Sequence, residues 1–457
     1  MGPRRQSLEA QADALEATRR VLEQHNARHA AGDASYFLSW NALSDLSHDE
    51  YARFLKSRVD SPVVRKSKPR SLHSVYEKVT TNKGISLNFQ DGSKWDAKAA
   101  SVAAPVTPLP KSYNWLEIEN GKYLTPIKNQ GSCGSCWAFS AVSVIESRFA
   151  IEHNVTATPL SVEQVLSCSA PLDHIHSKFP DMAASSNGCE GGMPFLAFEY
   201  MARMAPNGVA CASDYPYVMA TSVSETQCQS VAPAQVAVAW TKSTSDYVAV
   251  EPNSEDALMR AVLLGPVSSN IDALGDGFRH YGGGIYDAHD CASDGKAVNH
   301  AVVIVGFGET DKGEKYWVLR NTWGTMWGEN GYMRLARGTI QGTGPCNLYM
   351  FSTYPVKLSQ GTATKDGVCA TPTSDFVPLG WAKLMGYGGS DWALLLVISF
   401  TCLGAGVAVF VVTEQKHQRK RAAGQETYDD SYARWVLPTK EQTAAMLARR
   451  RPQHESV

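Results

Sequence analysis

Charge of one sign is missing from this chain: 43 Lys and Arg face 45 Asp and Glu, a formal net charge of −2. Without a basic excess there is no electrostatic footprint for nucleic acid, and none is expected as a partner. Metal-ligand spacing is missing too. No H-E-x-x-H occurs, and the i, i+2 pair His174 and His176 reads as a solvated loop, so neither metal nor cofactor is expected. Internal repeats, coiled-coil heptads and a phosphate-cradling glycine loop are absent, which excludes solenoids, coiled coils and nucleotide-binding motifs. Met1-Gly-Pro-Arg-Arg opens a polar helix rather than an apolar secretory core, so a first segment is expected to be missing from this sequence. What remains is 457 residues, 44% hydrophobic, enough for a two-lobed globular core.

Into that core the stretch Gln130-Gly-Ser-Cys133-Gly-Ser-Cys136-Trp137 brings chemistry. After its Gly/Ser turn, Phe139, Val142, Ile145 and Phe149 recur at spacings of three, three and four, the stripe of a buried helix. Cys136 then falls in the first turn, where free backbone N–H groups and the positive end of the helix dipole favour an anion. A nearby imidazolium would lower the thiol further, toward a thiolate–imidazolium pair. Alone, Cys136 would read sooner as a buried or disulfide-bonded cysteine, since most cysteines are unreactive.

Downstream, residues 301–307 read as a buried strand and 315–320 as its alternating partner, with a polar, glycine-bearing turn over 309–314. Folding this hairpin about its middle brings His300 beside Asn321. The Asn oxygen can hold one imidazole nitrogen and aim the other at sulfur. Trp323 can roof that bond against water.

The segments QGSCGSCWAFS (130–140), NGCEGGMP (187–194), Asn299-His300-Ala301 and NTWGTMWGENGY (321–332) together resemble a papain-like cysteine protease of the cathepsin L-type branch, over roughly residues 109–357. The resemblance implies an α+β, two-lobed fold with a helical left lobe and an antiparallel, barrel-like right lobe. It implies a cysteine endopeptidase with Cys136 as nucleophile, His300 as base, Asn321 as its orienter and Gln130 as an oxyanion donor. It implies the disulfides Cys133–Cys189, Cys168–Cys228 and Cys291–Cys346, and with them an oxidising, lumenal or extracellular compartment of endosomal or lysosomal kind. Of the cysteines left over, Cys211 and Cys369 could pair, while Cys402 has no assigned partner.

For substrate, the resemblance gives Gly191 and Gly192 as open backbone for an extended peptide, with Asn299 and Trp323 beside the base. Met193, Pro194, Asn270, Ala301 and Phe351 would line the pocket for the side chain two residues before the cut. Phe351 at its base favours an apolar or aromatic residue there, and Asn270 replaces a small apolar one. No His-bearing loop follows the Cys-x-Gly-Gly segment, which favours cleavage within chains over trimming of ends. Extra residues lie instead within 170–187, read as a surface insertion. Asn154-Val155-Thr156 is a candidate glycosylation site.

Residues 1–108 read as an inhibitory propeptide and linker. Residues 41–51 resemble the asparagine–aspartate propeptide motif, and Leu8, Leu15, Val21, Leu22 and Asn26 suggest a preceding amphipathic helix. The chain after them would run through the cleft in the reverse of substrate direction. A basic run over 65–70 and an Ala/Pro-rich stretch over 97–110 look like linker, with the maturation cut near 101–109.

Beyond the protease, 358–391 reads as a flexible stalk. Residues 392–412 carry no formal charge and are long enough to span a bilayer as a transmembrane helix. Lys416, Arg419, Lys420 and Arg421 follow at once, which puts the tail over 413–457 in the cytoplasm and the protease on the other side. Protein substrates, the chain's own propeptide and a membrane are thus the expected partners. The competing function is a catalytically inactive, membrane-tethered binding or adhesion protein.

Overall fold

A computed structural model describes residues 8–55, 88–89, 108–169, 188–203, 205, 208–218, 228–229, 231, 236–240, 247–295, 298–361 and 369. The chain divides after Thr371, and its second unit, with the candidate membrane segment and Cys402, lies outside the described residues. So do the 170–187 insertion, the basic run over 65–70 and residues 97–107 of the Ala/Pro-rich stretch. Among the described residues no helix is long and apolar enough to cross a membrane.

The helices are α1 (Leu8–Ala30), α2 (His48–Phe54), α3 (Cys136–His153), α4 (Val162–Cys168), α5 (Pro194–Arg203), α6 (Glu255–Leu263) and α7 (Asp276–Arg279). The strands are β1 (Tyr36–Leu38), β2 (Asn88–Phe89), β3 (Tyr113–Asn114), β4 (Val209–Ala210), β5 (Val236–Trp240), β6 (Tyr247–Ala249) and β7 (Val267–Ile271). They continue with β8 (Tyr281–Tyr286), β9 (His300–Glu309), β10 (Lys315–Arg320), β11 (Tyr332–Ala336), β12 (Thr353–Pro355) and β13 (Leu358–Gln360).

One sheet runs β1-β8-β11-β10-β9-β7-β12-β6-β2, with β3 also on β9, and a second runs β13-β5-β4. The large sheet is mixed rather than wholly antiparallel: β11 lies parallel to β8, and β2 to β6. β9 sits at its centre because its near-continuous apolar run can be covered on both faces, and nine of its ten residues are buried.

Helix α3 departs from the expected single apolar stripe. Cys136 through Ala150 are buried on every side, since the helix packs against α4, α5, β7, β9 and β12 at once. Its polar residues survive burial by finding partners. Ser140 bonds the Ser268 hydroxyl (2.6 Å) and the Val302 carbonyl (2.8 Å). Glu146 accepts from the Thr125 hydroxyl, the Leu160 N–H and the Lys128 ammonium. Arg148 donates to the carbonyls of Ala261, Gly265 and Pro266 and lies over the Tyr354 ring.

The N-terminal segment docks through backbone. β1 pairs antiparallel with β8, Tyr36 opposite Gly284. Gly284 has φ +96°, and a Cβ there would meet the Ser35 oxygen at 2.4 Å, so only glycine admits so close a strand. Asn26 on α1 holds β1 in place, its side chain accepting from the Leu38 N–H and donating to the Leu38 carbonyl, each at 2.8 Å. Ser47 and Glu50 form a reciprocal capping box that starts α2.

The first residues of the expected stalk, Leu358–Gln360, are a strand of the folded domain. β13 pairs with β5, and Cys369 is disulfide-bonded to Cys211, so the chain past the expected domain end is still bound to it.

Candidate active site

Helix α3 begins at Cys136, which is 1% exposed, and Ser135 precedes it as the N-cap residue. The Gly/Ser turn before it is held by the Cys133–Cys189 disulfide, and Gly134 N–H donates to the Cys189 carbonyl at 3.0 Å. With Cys133 committed there, Cys136 is the free cysteine among the described residues. Cys168 pairs with Cys228 and Cys291 with Cys346.

β9 and β10 form the expected hairpin, with one irregularity. Val318 faces Gly306 while Leu319 faces Ile304, so Val305 bulges and the pairing advances one residue toward His300. His300 Nε2 lies 2.8 Å from Asn321 Oδ1, and both residues are buried. Nδ1 is buried without a hydrogen-bond partner. The Trp323 ring lies over the imidazole, centroids 4.7 Å apart. On the other side of the cleft, the Cys136 sulfur is met by the backbone N–H of Ala301, the residue next to His300.

Gln130 is fixed at every atom but one. Its side-chain oxygen accepts from Thr322 Oγ1 (2.6 Å), and its Nε2 donates to the Cys133 carbonyl (2.9 Å). Its backbone carbonyl accepts from the Tyr217 hydroxyl at 2.9 Å, and that hydroxyl also lies 2.9 Å from Ser135 Oγ. A primary amide carries two N–H bonds, so one remains to aim at a developing oxyanion beside the Cys136 N–H.

Burial works against the expected thiolate–imidazolium pair in this covered form. Burial pushes the Cys136 thiol up to about 12, against the lowering influence of the Ala301, Trp137 and Cys136 N–H groups. Burial likewise brings His300 down to about 4, the Asn321 bond opposing it. Without water to solvate either charge, burial disfavours both the thiolate and the imidazolium while the site is covered.

Of the candidate subsite residues, Asn270 and Ala301 are cross-strand partners on β7 and β9. Met193 and Phe351 are buried, Pro194 opens α5, and Gly191 takes φ +116°. The Asn299 side chain turns to the protein: its oxygen accepts from Ala273 N–H (2.8 Å) and its nitrogen donates to Asp272. Asn154 is exposed at the end of α3 with φ +52°, its oxygen accepting from Lys122 and Tyr123.

Residues 109–356 match the profile of the papain family cysteine proteases. The chain belongs to the papain family of cysteine proteases. It is 31% identical over 334 residues to vignain of Phaseolus vulgaris, covering 73% of this chain and 76% of that one. It is 30% identical over 341 residues to a cathepsin L-like proteinase of Phaedon cochleariae, covering 74% and 84%. The proform crystal structure of the ragweed pollen allergen Amb a 11, a cysteine protease, superposes with a TM-score of 0.55 at 27% identity, covering 77% of this chain and 90% of that one. This papain-family protein is therefore a cysteine endopeptidase made as a zymogen, with its N-terminal segment as inhibitor.

In that light several residues that sequence reasoning passed over gain meaning. Gly282, Gly283 and Gly284 make room for β1, since a Cβ at the first two would strike the Phe37 ring. A glycine run inside a strand was the available signal. Tyr51 and Phe54 of the propeptide reach the roof of the site, their rings 6.1 and 5.7 Å from that of Trp323.

Proposed function

We propose that Cys136 is the nucleophile of this endopeptidase, His300 its acid and base, Asn321 the orienter of His300, and Gln130 with the Cys136 N–H the oxyanion donors. The observation that carries the reading is the imidazole itself, bound by Asn321 at one nitrogen and unpartnered at the other, one residue from the N–H that meets sulfur. With the groove open, Nδ1 takes the thiol proton and Sγ attacks the peptide carbonyl carbon. The oxyanion accepts from Gln130 and Cys136, then collapses as the C–N bond breaks and Nδ1–H protonates the leaving amine. Water, deprotonated by the same nitrogen, hydrolyses the thioester and returns the thiol. The side chain two residues before the cut is apolar or aromatic, received by Met193, Pro194, Asn270, Ala301 and Phe351, while Gly191 and Gly192 pair with substrate backbone. Labelling of the processed enzyme by a thiol-directed epoxide tests the nucleophile. The Cys136→Ala variant must lose both label and activity, and retention of either refutes the assignment.

Residues 392–412 anchor this protease in a membrane, with the disulfide-bonded domain lumenal or extracellular, Asn154 glycosylated and the tail cytoplasmic. The support is the uncharged run and its basic flank. Alkaline extraction of membranes tests it: release of the full chain into the supernatant would rule the anchor out.

A further inference from the structure

Tyr217 lies on neither the helix of the nucleophile nor the hairpin of His300, and it exchanges no proton with substrate in the proposed steps. Its hydroxyl nevertheless stands between the two residues that carry the oxyanion donors. Gln130 supplies one donor from its side chain. The other, the Cys136 N–H, belongs to the peptide unit that joins Ser135 to Cys136. Tyr217 Oη lies 2.9 Å from the Gln130 carbonyl oxygen and 2.9 Å from Ser135 Oγ.

The direction of this short chain follows from its chemistry. A carbonyl only accepts, so the phenol gives its single proton to Gln130 and accepts from the Ser135 hydroxyl. Burial pushes the Tyr217 phenol well above its ordinary value, which keeps that proton in place through acid and neutral pH. The ring is firmly mounted. It meets Phe139 of α3 edge to face, centroids 4.8 Å apart. The chain on either side is tied to the start of α4: Ser161 Oγ donates to the Tyr215 carbonyl at 2.6 Å, and Val218 N–H to Glu163 at 3.2 Å.

Ser135 is diverted from its usual task. It is the N-cap residue of α3, where a serine hydroxyl ordinarily accepts from an N–H of the first turn. Here the side chain makes no such bond, and its other contact is the Cys133 carbonyl at a long 3.4 Å. With Ser135 turned to Tyr217, the Cys136 and Trp137 N–H groups are left to act on the sulfur.

We propose that Tyr217 is a positioning residue for this reaction, its hydroxyl a strut that holds the Gln130 amide and the Cys136 N–H in register for the oxyanion. The proposal rests on the assignment of those two donors. Donors of this kind act by being fixed before charge develops. Without the hydroxyl, the Gln130 carbonyl and the Ser135 side chain both lose their partner, and the two donors relax independently. Because the register matters only as the oxyanion forms, the loss falls on kcat rather than on substrate binding.

The test uses the processed enzyme and a fluorogenic peptide. Tyr217→Phe should lower kcat about tenfold with KM within twofold. Alkylation of Cys136 by iodoacetamide, which forms no oxyanion, should keep the parent's rate and pH profile within about twofold. Added to Gln130→Ala, Tyr217→Phe should lower kcat by less than about threefold further, since no pair of donors remains to be registered. An unchanged kcat for Tyr217→Phe, an alkylation rate that falls in step with kcat, or the full tenfold loss in both backgrounds each overturns the strut. Should Tyr217→Phe yield no processed enzyme, Ser135→Ala opens the chain at its other end without removing a cap and is judged by the same criteria. The donor assignment fails separately: it is Gln130→Ala alone, retaining full kcat, that would refute it.

Discussion

The Thr322 hydroxyl donates to the Gln130 side-chain oxygen across 2.6 Å, coupling the segment that bears the orienting asparagine to the candidate oxyanion donor. Removing Gln130 outright, as Gln130→Ala, should lower kcat/KM about 100-fold or more. Thr322→Val keeps the amide but frees it to rotate, so kcat should fall by roughly tenfold with KM within twofold. Steady-state cleavage of a fluorogenic peptide by the processed enzyme measures both. An unchanged kcat for Gln130→Ala would remove it from the mechanism.

The buried pair sets the reactivity of the precursor. With the Cys136 thiol pushed up to about 12, thiolate in the closed form is scarce at neutral pH and grows about tenfold per pH unit. Alkylation of the unprocessed chain by iodoacetamide should therefore be slow at pH 7 and accelerate with pH. Processing, which readmits water, should raise the pH 7 rate by at least about 100-fold. Equal rates before and after processing would count against burial as the cause.

Stability of the precursor should drop in mild acid. His300 and His280 fall to about 4 and about 3 when folded, so unfolding restores proton binding near 6.5. The unfolded chain thus holds more protons as pH falls below about 6.5, and each histidine costs up to about 1.4 kcal/mol per unit until its folded value is reached. Calorimetry of the Cys136→Ala precursor should show Tm falling from pH 7 to pH 4. A flat Tm across that range would contradict the burial of both rings.

The Cys211–Cys369 bridge closes a sequence separation of 158 and fastens the strand beyond the papain-family match. Replacing both cysteines by serine should cost about 2–4 kcal/mol, chiefly by freeing the unfolded chain and letting β13 leave β5. Tm should fall by roughly 5–15 °C while kcat holds, because among the described residues no hydrogen bond or disulfide joins Cys211 or Cys369 to the proposed catalytic groups. A loss of activity at temperatures where the variant is folded would show that the strap supports the site.

Much of the site was legible because its signals are local. A Gly/Ser turn before an apolar helix puts Cys136 at a helix start, and two strands about a polar turn bring His300 to Asn321 whatever surrounds them. The central helix was only half legible. Its apolar stripe was visible, but nothing local showed that Ser140, Glu146 and Arg148 would be buried too, each finding its partner on a distant segment. Gly284 lay in a glycine run that marks a close approach without saying to what. The partner is a strand more than two hundred residues upstream.

Spacing and side-chain type alone thus brought His300 to Asn321 and put Cys136 at a helix start, since hydrogen bonds across a hairpin and the field at a helix start act over a few residues. Whether those groups carry charge, which sheet edge the propeptide takes, and how far the domain extends past Val356 were decided only in three dimensions. Each depends on how completely water is excluded or on which remote backbone comes near, and neither is a property of neighbouring residues in a chain.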